Sequence, residues 1–242
     1  SLDYDKDMDR FYFQVAGPDG VTLTRAIASA LGSPAINTWY FLAGGYNYES
    51  GYIWISVNGR PKETTPFTGS VHVGQAPFML GGVANPLFGY HAGVMDEVGF
   101  WKRALTPGEI AALYNNGQGQ TYPFSTPSQP GNSTIAQTVT IPVTMTSPIL
   151  SFLYQPGGIS SLENGLVSYW KLDETTGNAL DVLGTNTLTA TNAPGSTSGV
   201  IQSARTFRGD HQYFSIPTRP SVDVGDTSFT FTAWVSMTNK TD

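Results

Sequence analysis

The stretch Tyr46-Asn47-Tyr48-Glu49-Ser50-Gly51-Tyr52 places three tyrosines, an amide and a carboxylate in seven residues, and Trp54 follows two positions later. Exposed aromatic faces stack on sugar rings, and neighbouring amides and carboxylates orient the hydroxyls. Tyr46, Tyr48, Glu49, Tyr52 and Trp54 are therefore the expected glycan-binding residues. Trp54 lies on the strand face opposite Ile53, Ile55 and Val57, so it is expected to be exposed. Other chemistry is poorly served. Glycoside hydrolysis needs two carboxylates across one bond. The nearest acidic pairs, Asp96-Glu97 and Asp173-Glu174, are consecutive and would point to opposite faces of a strand. No Gly-x-Ser-x-Gly elbow is present, the three histidines lack evident partners, and there is no cysteine to act as nucleophile, disulfide or zinc ligand. The chain reads as no enzyme.

The elements that must carry this loop are strands. Residues 11–15, 39–43, 52–57, 78–80, 94–101, 166–172, 214–216 and 229–235 alternate or run apolar at strand length. Asn58-Gly59 is a hairpin turn after the third of them. Asp3-Tyr4-Asp5-Lys6-Asp7-Met8-Asp9 lacks the sixth-position Gly and terminal Glu of the known calcium loop, and reads as a solvated turn before Phe11. One helix is expected. Thr106 is its N-cap, Pro107 opens it, Glu109 completes a capping box, Ile110, Leu113 and Tyr114 form the apolar face, and Gly117 stops it. Many short strands with turn signals between them make an antiparallel β-sandwich or barrel.

The 242 residues carry only 12% charged side chains and a formal charge of −6. An acidic chain lacks the basic footprint of a nucleic-acid or anionic-lipid binder, and no apolar run is long enough to cross a bilayer. Richness in Thr, Ser, Asn and Gly resembles the surface proteins of bacteria and viruses. A chain that opens at Ser1 without Met reads as processed or as part of a longer polypeptide. Asn132-Ser133-Thr134 and Asn239-Lys240-Thr241 match the glycosylation triplet.

Leu166-Val167-Ser168-Tyr169-Trp170-Lys171-Leu172-Asp173-Glu174, Ala204-Arg205-Thr206-Phe207-Arg208-Gly209 and Phe229-Thr230-Phe231-Thr232-Ala233-Trp234-Val235 resemble the opening and middle of a laminin-G-like domain. That family belongs to the concanavalin A-like lectin/glucanase superfamily. Met95-Asp96-Glu97-Val98-Gly99-Phe100-Trp101-Lys102-Arg103-Ala104-Leu105-Thr106 resembles its closing signature. The resemblance implies an all-β, antiparallel jelly-roll sandwich with one short helix after the closing strand, and assigns Trp39, Trp101, Trp170 and Trp234 to packing. The carboxylate pattern Glu-x-Asp-x-x-Glu of related enzymes is missing. Laminin-G-like domains often hold calcium, and the resemblance implies that the first and last strands gather Asp96, Asp173 and Asp181 as candidate metal ligands. The competing reading has Asp96 and Asp173 capping turns or pairing with Lys102, Arg103 or Lys171.

The order of these motifs is inverted. Residues 1–124 read as the C-terminal half of a laminin-G-like sandwich, and residues 164–242 as the N-terminal half. Residues 125–163 read as a Pro/Ser/Thr linker with a possible edge strand at Thr138–Leu153. Joining Asp242 to Ser1 nearly rebuilds one domain, short of about one strand (~10–15 residues with its turns). A window from a tandem array, a circular permutant and strand exchange between neighbours each satisfy that order.

The functional expectation is a non-enzymatic surface or virion structural and adhesion protein, extracellular, on a cell surface or a phage particle. It would present laminin-G-like domains to surface glycans or polysaccharide and to neighbouring copies, with calcium as a structural cofactor. The alternative is a carbohydrate-binding accessory module of a larger secreted polysaccharide-degrading enzyme.

Overall fold

The structure is a computed structural model and describes residues 1–83, 89–124 and 162–241. The expected linker strand at Thr138–Leu153 and the triplet at Asn132 lie outside the described residues. In chain order the strands of the first segment are β1 (Leu2–Asp5), β2 (Arg10–Ala16), β3 (Leu23–Ile27), β4 (Tyr40–Asn47), β5 (Tyr52–Val57), β6 (Glu63–Pro66), β7 (Phe78–Leu80) and β8 (Ala92–Trp101). Helix α1 (Pro107–Tyr114) follows. After residue 162 come β9 (Leu166–Trp170), β10 (Thr189–Thr191), β11 (Gly195–Ser198), β12 (Ser203–Arg208), β13 (Tyr213–Ile216) and β14 (Phe229–Met237).

An eight-stranded antiparallel sheet runs in the order β11-β12-β8-β14-β4-β5-β6, with β9 also paired to β8. Two three-stranded sheets, β1-β2-β3 and β10-β13-β7, cover its inner face. The two segments share the large sheet. β14 lies between β4 and β8, with Phe231 opposite Gly44 on one side and Phe100 on the other. The fold is an antiparallel β-sandwich with one short helix, as the strand pattern and the resemblance implied.

Local sequence accounts for the turns and the close approaches. Asn58 and Gly59 both hold positive φ, 53° and 67°, the condition for a tight hairpin turn between β5 and β6. Gly44 faces the covering sheet, where a Cβ would meet the Phe13 ring at 2.6 Å. Helix α1 begins as its residues require: Thr106 accepts from the Glu109 amide, and the Glu109 side chain accepts from the Thr106 amide. Glu109 also takes a two-pronged ion pair from Arg103 at 2.7 and 2.8 Å. The helix ends at Asn115 in the left-handed region, two residues before the expected glycine. Asp3–Asp5, expected within a solvated turn, instead belong to β1 against β2, and only residues 6–9 turn.

Strand alternation divides the apolar residues between two cores. Phe11, Phe13, Leu42, Tyr46, Ile53, Ile55, Phe100, Trp170 and Phe229 fill the space between the layers. Phe41, Trp54, Trp101, Tyr169 and Trp234 lie on the outer face of the large sheet with Ile110 and Leu113 of α1. Trp101, Trp170 and Trp234 are buried and Trp39 packs at the edge of the outer core, all in packing roles.

Candidate functional site

The expected aromatic cluster is split by the sheet that carries it. Tyr46 on β4 and Trp54 on β5 are both fully buried, in different cores. Tyr46 faces inward, and its hydroxyl donates to the Gly69 carbonyl at 2.7 Å. Trp54 does face away from Ile53 and Ile55, as alternation requires. That outer face is roofed, however: Lys62 Nζ sits 3.9 Å from the centre of the Trp54 ring and donates to the Leu105 carbonyl at 2.6 Å. Trp54 is therefore not the exposed stacking face expected of it. Helix α1, which sequence spacing could place in the chain but not over a sheet face, makes the difference. Tyr52 is half-buried against the same outer core, its hydroxyl 3.5 Å from Asn47 Nδ2.

Tyr48 and Glu49 remain at the surface, and Tyr48 is 45% exposed. Its ring stands edge-on against Tyr46, centroids 5.9 Å apart, and its backbone N–H donates to Ser228 Oγ at 2.9 Å. Asn47 Oδ1 accepts from the Ser50 amide at 3.0 Å, fixing the turn that follows. Burial pushes the Tyr46 hydroxyl up, and the charges of Tyr48 and Asp226 act in the same direction. The result is one rim of the sandwich on which a solvent-facing tyrosine is braced by a buried one, with Glu49 and Asp226 exposed nearby.

A second set of rings was not assigned a role by sequence reasoning. Tyr90, on the approach to β8, comes together with His211 and Tyr213 at the start of β13, far along the chain. His211 lies 4.5 Å from Tyr90, and Tyr213 stacks on Tyr90 at 6.2 Å. His211 is exposed and has φ of 58°. No local pattern could have paired these residues; the β8–β12 ladder does so, with Arg208 opposite Ala92 and the Gly209 N–H donating to the His91 carbonyl.

The acidic candidates go to separate tasks. Asp181 spends both oxygens on backbone: Oδ1 accepts from Tyr169 and Leu183, and Oδ2 from Thr185 and Asn186. Asp173 Oδ1 accepts from the Ser203 amide at 2.9 Å. Asp96 Oδ2 accepts from Val200 and Ile201 at 2.7 and 3.0 Å, and its Oδ1 has no hydrogen-bond partner. Glu97 sits in a β-bulge opposite β14, with φ of 49°. Its carboxyl is set against the Tyr169 hydroxyl, in geometry too loose for a regular hydrogen bond. Burial pushes Asp96 up to about 7 and Glu97 up to about 8, and the mutual repulsion of these acids and Asp173 acts in the same direction. Among the described residues, no group of three or more His, Asp or Glu side chains is placed to hold a metal ion. Asp96, Asp173 and Asp181 each accept from backbone amides in separate places.

Residues 1–111 match the family model Laminin_G_3 of the concanavalin A-like lectin/glucanases superfamily. This segment is laminin-G-like. No curated protein and no solved structure matches the chain. The match is to a superfamily named for lectins and glucanases and suggests a carbohydrate-binding or adhesion-type module. No helix among the described residues is long and apolar enough to cross a membrane.

Proposed function

We propose that the chain is a non-enzymatic adhesion module, displayed outside the cell or on a virion, that binds surface glycan through the rim around Tyr48. The observation that carries this reading is the exposed Tyr48 ring held rigid by Tyr46 and by Ser228. A ring already fixed in place loses little freedom when a sugar stacks on it. Glu49 and Asp226 supply acceptors for sugar hydroxyls at the same rim.

The test is a glycan array with the full chain and with Tyr48→Ala. The expected result is selective binding to one class of polysaccharide, lowered about tenfold or more by Tyr48→Ala, since a lost stacking contact is worth on the order of 1–2 kcal/mol. A flat array, or binding unchanged in Tyr48→Ala, overturns the assignment to this rim.

A further inference from the structure

Tyr90, His211 and Tyr213 stand on a scaffold that fixes them. Tyr90 contacts both other rings. Gly82 backs the two tyrosines: a Cβ there would meet the Tyr90 ring at 3.2 Å and the Tyr213 Cβ at 3.3 Å. His211 is exposed, and Tyr90 and Tyr213 are half-buried. The left-handed backbone of His211 is costly for any residue but glycine, and Asn192 and Ala193 in the facing loop share it, with φ of 54° and 49°.

Buried Gln212 holds these conformations. Its side chain accepts from the Arg208 amide at 2.8 Å and donates to the Asn192 and Ala193 carbonyls at 2.9 and 3.0 Å. Asn192 Nδ2 in turn donates to the His211 carbonyl at 2.8 Å. Strain that surrounding bonds keep in place concentrates at binding and catalytic sites. Here it presents an imidazole to solvent, tilted against a tyrosine ring. Beside it, Arg208 and Asp210 pair at 3.4 Å with both side chains more than half exposed. Such a pair adds little to stability, and it sets hydrogen-bond donors and acceptors side by side.

These rings and the Tyr48 rim stand at opposite ends of β14. Phe229 opens β14 opposite Tyr46, and the preceding Ser228 accepts from the Tyr48 amide. Met237 closes β14 opposite Gly93, and the Thr238 amide donates to the carbonyl of Ala92, two residues after Tyr90. At a strand rise of about 3.3 Å per residue, the two ends lie about 26 Å apart.

We propose that Tyr90, His211 and Tyr213 form a second saccharide-binding site, which takes a neutral sugar residue of a polysaccharide. The pyranose ring stacks on His211 and Tyr90, one hydroxyl accepts from Arg208, and its neighbour donates to Asp210. The ligand is neutral because Arg208 and Asp210 balance each other at the site and the chain's charge of −6 repels a polyanion. This inference rests on the glycan-binding reading of the chain and adds valency to it. With a site at each end of β14, one molecule holds two polysaccharide chains.

The test uses the full chain with soluble β-glucan, galactomannan and starch, read by retardation in polysaccharide-containing native gels and by turbidity in solution. The expected result is retardation by at least one polymer, with turbidity that rises and then falls as protein is added, the mark of a bivalent cross-linker. His211→Ala and Asp210→Ala should each abolish turbidity and weaken retardation about tenfold or more, the scale of lost avidity. His211→Gly, which relieves the left-handed backbone, should keep or raise Tm while losing turbidity, so a folding defect cannot account for the loss. Turbidity absent from the wild type, or unchanged in His211→Ala and Asp210→Ala, overturns this site and leaves the Tyr48 rim standing. Complete loss of retardation in Tyr48→Ala alone also overturns it. Binding unchanged in Tyr48→Ala and lost in His211→Ala supports this site and overturns the Tyr48 rim. Retardation by none of the polymers overturns both.

Discussion

Phe100 and Phe231 stack with their centroids 4.5 Å apart and their planes 14° from parallel, one ring from each segment of the chain. They face each other in the β8–β14 ladder, so the inner core of either segment is incomplete without the other. Phe100→Ala is expected to cost about 3–5 kcal/mol, the range for emptying a buried phenylalanine site. Urea unfolding followed by tryptophan fluorescence should show one shifted transition. Two transitions would mean that the segments fold independently.

The buried acids make stability fall as pH rises. Asp96 and Glu97 titrate near 7 and 8 in the folded chain, above their ordinary values of 3.8 and 4.5. The folded state therefore holds more protons than the unfolded state between about pH 4 and 8, and stability declines across that window. His91 works in the opposite sense. Burial lowers it from 6.5 to about 4, so its contribution grows as pH rises from 4 to 6.5 and is constant above. From pH 6.5 to 8 the Ser1 ammonium, lowered from 8.0 to about 6, opposes the two acids, so a shallow net decline is expected there, and Asp96→Asn should flatten it. Tm measured across this range checks the sign; a Tm that climbs from 6.5 to 8 contradicts it.

Calcium added at pH 8 bears on the same pair. With Asp181 saturated by four amides and Asp173 capping Ser203, neither added calcium nor a chelator is expected to move Tm. A rise with calcium that disappears in Asp96→Asn would make Asp96 a cation ligand after all.

Lys62 holds the roof over Trp54. Desolvation lowers its ammonium to about 8, and it stays attached through the Leu105 carbonyl and the Trp54 ring. Lys62→Ala should cost about 1–2 kcal/mol and open Trp54 to water. A red-shifted emission and faster quenching by acrylamide would report it, and an unchanged spectrum would mean that α1 alone shields the ring.

Asp181 should be among the least replaceable surface-proximal acids. Removing it strands the buried amides of Tyr169 and Asn186, each with its own desolvation cost, and frees the part-buried amides of Leu183 and Thr185, which water can reach. Asp181→Ala should destabilise by several kcal/mol, on the scale of about 1–3 kcal/mol for a stranded buried group. Asp181→Asn, which keeps one acceptor, should recover part of that loss in thermal unfolding. Equal losses in the two variants would argue against backbone capping as its task.

Alternation along β2, β4, β5, β8 and β14 and the capping box at Thr106 were legible in the residues, because both depend on contacts a few positions apart. The same alternation set Trp54 opposite Ile53 and Ile55. β1, β3, β6, β10, β11 and β12 were not legible. They are short, polar or marginally periodic, and become strands only because a longer neighbour offers its ladder. Likewise the tyrosine cluster read as one surface, since seven consecutive residues look adjacent in sequence. A sheet sends Tyr46 and Trp54 to opposite cores, and leaves Tyr48 at the rim.

The amino-acid sequence by itself determined the class of fold, the helix start and the strand faces, which follow from local periodicity and backbone capping. Tertiary structure alone decided that β14 lies between β4 and β8, that α1 and Lys62 roof Trp54, and that Tyr90 meets His211. Each of these pairs residues distant along the chain, through hydrogen-bond ladders and packing that no local pattern encodes.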